Sequence, residues 1–155
     1  GTAIVTCDRA MVGMAMRGSC TCRNIQVVWR TVDYSVVPRK CLCPYCTSKG
    51  AAYVSKSGSL VQVSIHNADL HNIVRQGSGI AEFHECGNCH DLVLVTAAIQ
   101  GDVYAALNAN CLDNTPGFSP AVDIDFSEQS IAEKLQRWRL NWCHPVQILV
   151  NPEGN

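Results

Sequence analysis

A chain of 155 residues that is 47% hydrophobic and only 16% charged holds enough apolar matter for one ordinary core. Twelve Lys and Arg against thirteen Asp and Glu leave a formal charge of −1, with no basic run of the kind a phosphate backbone requires, so nucleic acid is excluded as an expected partner. The longest apolar run, LVLVTAAI at 92–99, falls far short of the ~20 residues that span a bilayer, and no membrane is expected either.

Residues 1–16 read as an N-terminal extension, mildly apolar at AMVGMAM (10–16) and without a following A-x-A-like cleavage site. Gly1 stands where an initiator Met would, so part of this extension is expected to be tag-derived; a single domain is expected over 17–151. Short β-like segments, rich in Val, Ile, Thr and aromatic residues and bounded by Gly, Ser, Asn and Pro, are predicted at 24–31, 59–66, 69–75, 79–85, 91–97 and 103–109. In the second of these, Leu60, Val61, Val63 and Ile65 stand against Gln62 and Ser64, an imperfect alternation that suits a half-buried strand. The tail changes period. Ser130 and Glu133 make a capping box, and Ile131, Leu135, Trp138 and Trp142 recur at helical spacing until Pro145, which predicts one amphipathic helix over 130–143. Its two tryptophans read as core, and its Lys134, Arg137 and Arg139 as a solvated face. QILVN, 147–151, reads as a last short strand.

Ten cysteines are too many to be incidental, and their spacing carries the chemistry. Seven fall into three tight groups: C-T-C at Cys20 and Cys22, C-L-C-P-Y-C at Cys41, Cys43 and Cys46, and C-G-N-C at Cys86 and Cys89. Disulfide frameworks belong to secreted, mostly smaller domains and join distant positions, whereas a metal wants several thiolates crowded on short segments. In an extended segment i and i+2 point to one face, so C-x-C offers two sulfurs side by side. C-x-x-C does the same from a tight turn, where Gly87 and Asn88 suit a left-handed backbone. Cys20, Cys22, Cys86 and Cys89 can thus form the closed tetrahedral set of a structural zinc. Cys41, Cys43 and Cys46 supply only three ligands, the pattern of a catalytic zinc with an open position, unless a histidine or a fourth cysteine closes that site as well. The all-sulfur sets favour zinc over hard cations, and two zinc ions are expected.

Cys86, Cys89 and His90 also spell C-x-x-C-H, a c-type haem attachment. That reading leaves five clustered cysteines without a role, and the only methionines available as an axial ligand lie within 11–16. His90 then reads as a neighbour donating an N–H toward a zinc-bound sulfur, or as an ordinary polar residue. Cys7, Cys111 and Cys143 stand alone and read as buried small hydrophobes or spare thiols.

Taken together, RGSCTCRNIQVVW (17–29), CLCPYCTSKGAAY (41–53), GSGIAEFHECGNC (77–89) and NANCLDN (108–114) resemble the family of the glutathione-dependent formaldehyde-activating enzyme, which includes the domain of centromere protein V. The resemblance implies a mainly-β fold, a tent-like sheet scaffold of the methionine sulfoxide reductase B kind stapled by zinc, to which the sequence adds one C-terminal amphipathic helix. It places a structural zinc on Cys20, Cys22, Cys86 and Cys89 and a catalytic zinc on Cys41, Cys43 and Cys46. The implied activity is that of a carbon–sulfur lyase of the S-(hydroxymethyl)glutathione synthase type, joining formaldehyde and glutathione. Two departures stand out: Arg23 follows the first pair where that pattern carries Gly, and His90 with Asp91 follow the last pair where it carries Gly with Thr or Ser.

The first expectation is therefore a zinc enzyme acting on a small thiol, with Arg39, Lys40 and Lys49 beside the triad as candidate contacts to glutathione's carboxylates. A zinc-stapled protein-interaction module without turnover is the alternative, and a sulfoxide reductase using Cys7, Cys111 or Cys143 a third. Reactive zinc thiolates suit a reducing interior, so the cytoplasm is the expected address.

Overall fold

The computed structural model describes residues 15–31, 33–76, 79–113, 117–124 and 129–150. Cys7 and nearly all of the N-terminal extension lie outside the described residues. In chain order the elements are β1 (Ala15–Ser19), β2 (Ile25–Arg30), β3 (Arg39–Cys41), helix α1 (Pro44–Lys49), β4 (Tyr53–Val54), β5 (Leu60–Ile65) and β6 (His71–Val74). They continue with β7 (Glu82–Cys86), β8 (Leu92–Ile99), β9 (Asp102–Asn108), β10 (Val122–Ile124), helix α2 (Ile131–Asn141) and β11 (Val146–Val150). The protein is mainly β, as expected, with its longer helix near the C-terminus.

The strands form two sheets. The smaller has the order β1-β2-β5-β11, and the larger β10-β3-β4-β9-β8-β7-β6. Pairing is antiparallel except for β11 on β5 and β10 on β3. The alternation foreseen for 59–66 sets the register of the first sheet: Val61, Val63 and Ile65 face inward opposite Trp29, Val27 and Ile25 of β2. This face packs on Val93, Leu94, Ala105 and Leu107 of the larger sheet. Trp29, fully buried, keeps its indole N–H satisfied by donating to Ser59 Oγ at 2.8 Å. The opposite face of the larger sheet makes a second core, in which Phe83, Val95, Ala97 and Ala106 pack with Cys46 of α1 and Trp138 of α2. β8 is therefore covered on both sides, which explains an unbroken apolar run where a one-sided strand would alternate.

Helix α2 begins with the predicted capping box: Glu133 N–H donates to Ser130 Oγ at 3.1 Å, and Ser130 N–H to Glu133 Oε1 at 2.9 Å. It stops at Asn141 because Cys143 is drawn into a bridge with Ala105 of β9, exchanging N–H···O bonds of 2.8 and 3.0 Å. Ile131, read as part of its apolar stripe, is 51% exposed and stands outside the core. The segments β1, β3, β4, β10 and α1 were not predicted. Elements of two to six residues complete less than two helical turns or a few alternations, so they carry no legible period. β1 takes in Ala15 and Met16, which read as extension; Met16 is buried and pairs with Trp29. The strand expected from 69 starts at His71, since Ala68–Leu70 form a 3-10 turn capped by Asn67.

Candidate metal centres

The first centre joins two loops at one edge of the sheets. Cys20 and Cys22 follow β1, Cys86 is the last residue of β7, and Cys89 lies in the turn after it. In the first loop Cys20 N–H donates to Ile25 O and Arg23 N–H to Cys20 O, both at 3.0 Å. In the second, Cys86 N–H donates to Asp91 O at 3.0 Å and His90 N–H to Cys86 O at 2.8 Å. Each loop turns back through a left-handed residue just after its second cysteine, Arg23 at φ 68° and His90 at φ 66°. Ile25 N–H and Asn88 N–H reach Cys20 Sγ and Cys86 Sγ, each at 3.4 Å. Asp91 pins the loops together, its Oδ2 accepting from both N–H (2.7 Å) and Oγ1 (2.6 Å) of Thr21.

The four sulfurs lie within 4.8 Å of one another, with Cys20–Cys22 at 3.8 Å and Cys22–Cys86 at 3.4 Å. Four sulfurs about 2.3 Å from one tetrahedral ion would stand about 3.8 Å apart, so this set fits a metal such as zinc. Burial pushes the Cys20 thiol up to about 12, and Cys86 also upward, while a hydrogen bond with the Asn88 side chain draws Cys22 down to about 6. Four thiols so close cannot all ionise by themselves; a divalent cation among them would compensate their charge.

The second centre is built by one turn of chain. β3 ends at Cys41; Cys43 is extended and caps α1, its Sγ accepting from Cys46 N–H at 3.4 Å; Pro44 opens the helix, where its missing N–H costs nothing. Cys41, Cys43 and Cys46 thereby bring their sulfurs within 4.8 Å of one another, and among the described residues no fourth Cys, His or carboxylate joins them. Tyr53 Oη lies 3.1 Å from Cys46 Sγ. Burial first, and then the proximity of Cys46, push the Tyr53 phenol well above its ordinary value, so it stays protonated beside that sulfur. Cys41 is drawn down to about 5, chiefly by its hydrogen bond with Cys46, whose own thiol is pushed up by the same contact. The triad holds charge readily on one sulfur and unwillingly on all three.

A cleft of about 580 Å³ opens between this triad, the larger sheet and α2. Trp138 and Trp142, stacked with ring centroids 4.6 Å apart, form one wall with Phe83. Of the expected substrate contacts, Arg39 lines the cleft. Lys40 is exposed and does not, since neighbours on a strand point to opposite faces. Lys49 does not line it either: it pairs with Glu85 at 3.4 Å, donates to His90 O at 3.1 Å, and borders a polar groove of about 410 Å³ beside the four-sulfur centre. Tyr45, next to Cys46, donates its hydroxyl to the same Glu85, so α1 ties the triad to the Cys86–Cys89 loop.

Two residues read as a solvated face, Lys134 and Arg137, line the cleft, whereas Arg139 is exposed and bonded to Gln136. Their spacing of three places them on one side of the helix, a signal present in the sequence that the default reading of surface charge passed over. Nothing local marked Tyr53. The His90 ring is exposed and, among the described residues, donates to no sulfur; its backbone carries its structural role. Cys143 is wholly buried, and Cys111, its thiol pushed up to about 12 by burial, donates to Leu92 O at 3.4 Å. Both are poor nucleophiles, which weighs against a reductase working through either.

No protein-family model matches the chain, and no curated protein matches it in sequence. Its fold is similar to that of a Rhodobacter sphaeroides protein of known crystal structure, with 18% identity and a TM-score of 0.51 over 69% of this chain and 100% of that one. At that identity the likeness concerns the fold. No helix among the described residues is long and apolar enough to cross a membrane.

Proposed function

We propose that the protein is a zinc-dependent carbon–sulfur lyase acting on the adduct of a small thiol such as glutathione with formaldehyde or a similar carbonyl. The observation that carries this reading is a three-sulfur set, without a fourth protein ligand among the described residues, facing a cleft of about 580 Å³. A structural site closes its ligand set, whereas a catalytic one keeps a position toward its substrate. The resemblance of the cysteine pattern to the glutathione-dependent formaldehyde-activating family points the same way.

Cys41, Cys43 and Cys46 would hold a zinc whose open position, when the ion is bound, accepts a thiol as thiolate. Tyr53 keeps its proton, and its hydroxyl, 3.1 Å from Cys46 Sγ, would donate to that sulfur once it is a thiolate and limit the charge it carries. Arg39 and Lys134 place positive charge at the cleft for the carboxylates of a peptide thiol. In the forward direction the sulfur–carbon bond forms as the carbonyl π bond opens, and the thiol proton ends on the former carbonyl oxygen. Reversal breaks the same bond, so neither oxidant nor reductant is needed. The four-sulfur centre would hold a structural zinc.

Two zinc ions per chain are expected, one of them exchanging in the presence of a thiol. Cys43→Ser should keep the fold and the structural ion while lowering formaldehyde–glutathione turnover at least about 100-fold. Unchanged turnover in that variant defeats the proposed mechanism, and two inert ions without any turnover would favour a binding module.

A further inference from the structure

We infer that the cleft takes thiol adducts whose carbonyl-derived group is bulky and apolar, an aryl or long alkyl chain, and selects them over the formaldehyde adduct; this rests on the carbon–sulfur reading above. The first ground is where the volume lies. The cleft measures about 580 Å³, within the range of sites that enclose drug-sized ligands, and it is bounded by the aromatic wall as well as by the triad.

The second ground is the chemistry of the wall. Beside the triad the cleft is lined by Phe83, Trp138 and Trp142, with Ala106 and Val95 on the sheet and Ala81 just before β7. The two tryptophans stack at 15° between ring planes, and the alanines leave room that larger residues would fill. A glutathione backbone is polar and gains little from such a surface; an apolar substituent on the carbon bonded to its sulfur gains much. The third ground is charge. Arg39 and Lys134 border the cleft and, among the described residues, no Asp or Glu does. A ligand anionic at one end, apolar at the other and bearing sulfur between them fits all three parts. Such a group would enter as an aldehyde: its carbonyl carbon gains the bond to sulfur, its oxygen gains the thiol proton, and its substituent stays unreacted against the aromatic wall.

The test uses stable thioethers in place of the adducts. S-methylglutathione and S-hexylglutathione are titrated into the zinc-loaded full chain, followed by calorimetry and tryptophan fluorescence. Since each fully buried methylene tightens binding about fourfold, even partial burial of the longer chain should give at least about tenfold tighter binding for S-hexylglutathione. Ala81→Leu, which fills the wall, and Trp142→Ala, which removes part of it, should each cut that preference; zinc content and circular dichroism confirm folding. Equal affinities, or binding of neither thioether, overturns the inference, as does a preference that both variants retain. Turnover is scored separately with formaldehyde and hexanal as partners of glutathione. Formaldehyde turnover without a chain-length preference overturns the inference and leaves the lyase reading standing; a chain-length preference without turnover of either partner sustains the ligand class and overturns the lyase reading.

Discussion

Arg23 and His90 each follow the second cysteine of a pair and each holds a left-handed backbone, at φ 68° and 66°. A side chain there costs on the order of 1 kcal/mol relative to glycine, because Cβ crowds the following carbonyl. These are the positions where the sequence departs from the resembled pattern by lacking Gly, and the chain makes the turn nonetheless. The reason is that N–H···O bonds at both ends of each loop, and Thr21 on Asp91 between them, over-determine the backbone. Arg23→Gly and His90→Gly should therefore each raise the melting temperature by about 2–4 °C with zinc content unchanged. A lower melting temperature, read by calorimetry, would show that the side chains contribute more than the strain removes. The cysteines themselves were legible at this scale, because ligand spacing is a local property; Tyr53 was not, since its approach to Cys46 depends on the pairing of β3 with β4.

Among the elements, β6, β7 and β8 are tied on one face by a line of polar groups. His71 Nε2 and His84 Nδ1 are 2.8 Å apart with stacked rings, and His84 Nε2 lies 2.8 Å from Thr96 Oγ1. Burial first, and then the proximity of His71, draws the His84 pKa down to about 4 from 6.5. A histidine held below its unfolded value stabilises fully above pH 6.5, and that contribution fades as pH falls from 6.5 toward 4, where the unfolded chain takes up the proton first. Between pH 7 and pH 5 this amounts to about 2 kcal/mol. Urea unfolding of the wild type and of His84→Gln at both pH values should show the wild type losing about that much more. Parallel losses would exclude His84 as the source; acid release of metal acts on both proteins and cancels. The strands carrying these residues were legible from composition, but their pairing, and hence the contact between His71 and His84, was not. Helix α2 was foreseen with its cap, yet which of its charged residues face solvent depended on where β10 and the triad lie.

For the whole molecule, the two centres work at different levels. The four-sulfur set joins loops more than sixty residues apart in sequence, and its Cys20 and Cys86 belong to the core between the sheets. Structural zinc in small finger peptides binds with roughly 10–16 kcal/mol, comparable to the whole folding stability of a domain, about 5–15 kcal/mol. The triad is contained within six residues and closes no long loop. Cys89→Ser, or a strong zinc chelator, should therefore lower the melting temperature by about 20 °C or more, or abolish cooperative unfolding. A near-native melting temperature for Cys89→Ser would remove the structural role.

What the sequence determined alone was local: the three thiolate groups, the strands long enough to show composition or alternation, and the capped helix with its period. Each is encoded in neighbours a few residues apart, and covalent geometry carries that spacing into space. Only the tertiary structure decided that two distant cysteine pairs converge, that the third group faces a cleft, and that Lys134 and Arg137 border it while Lys40 and Lys49 do not. Those outcomes depend on which strands pair and which faces are buried, a competition settled by the apolar surface of both sheets at once rather than by any single segment.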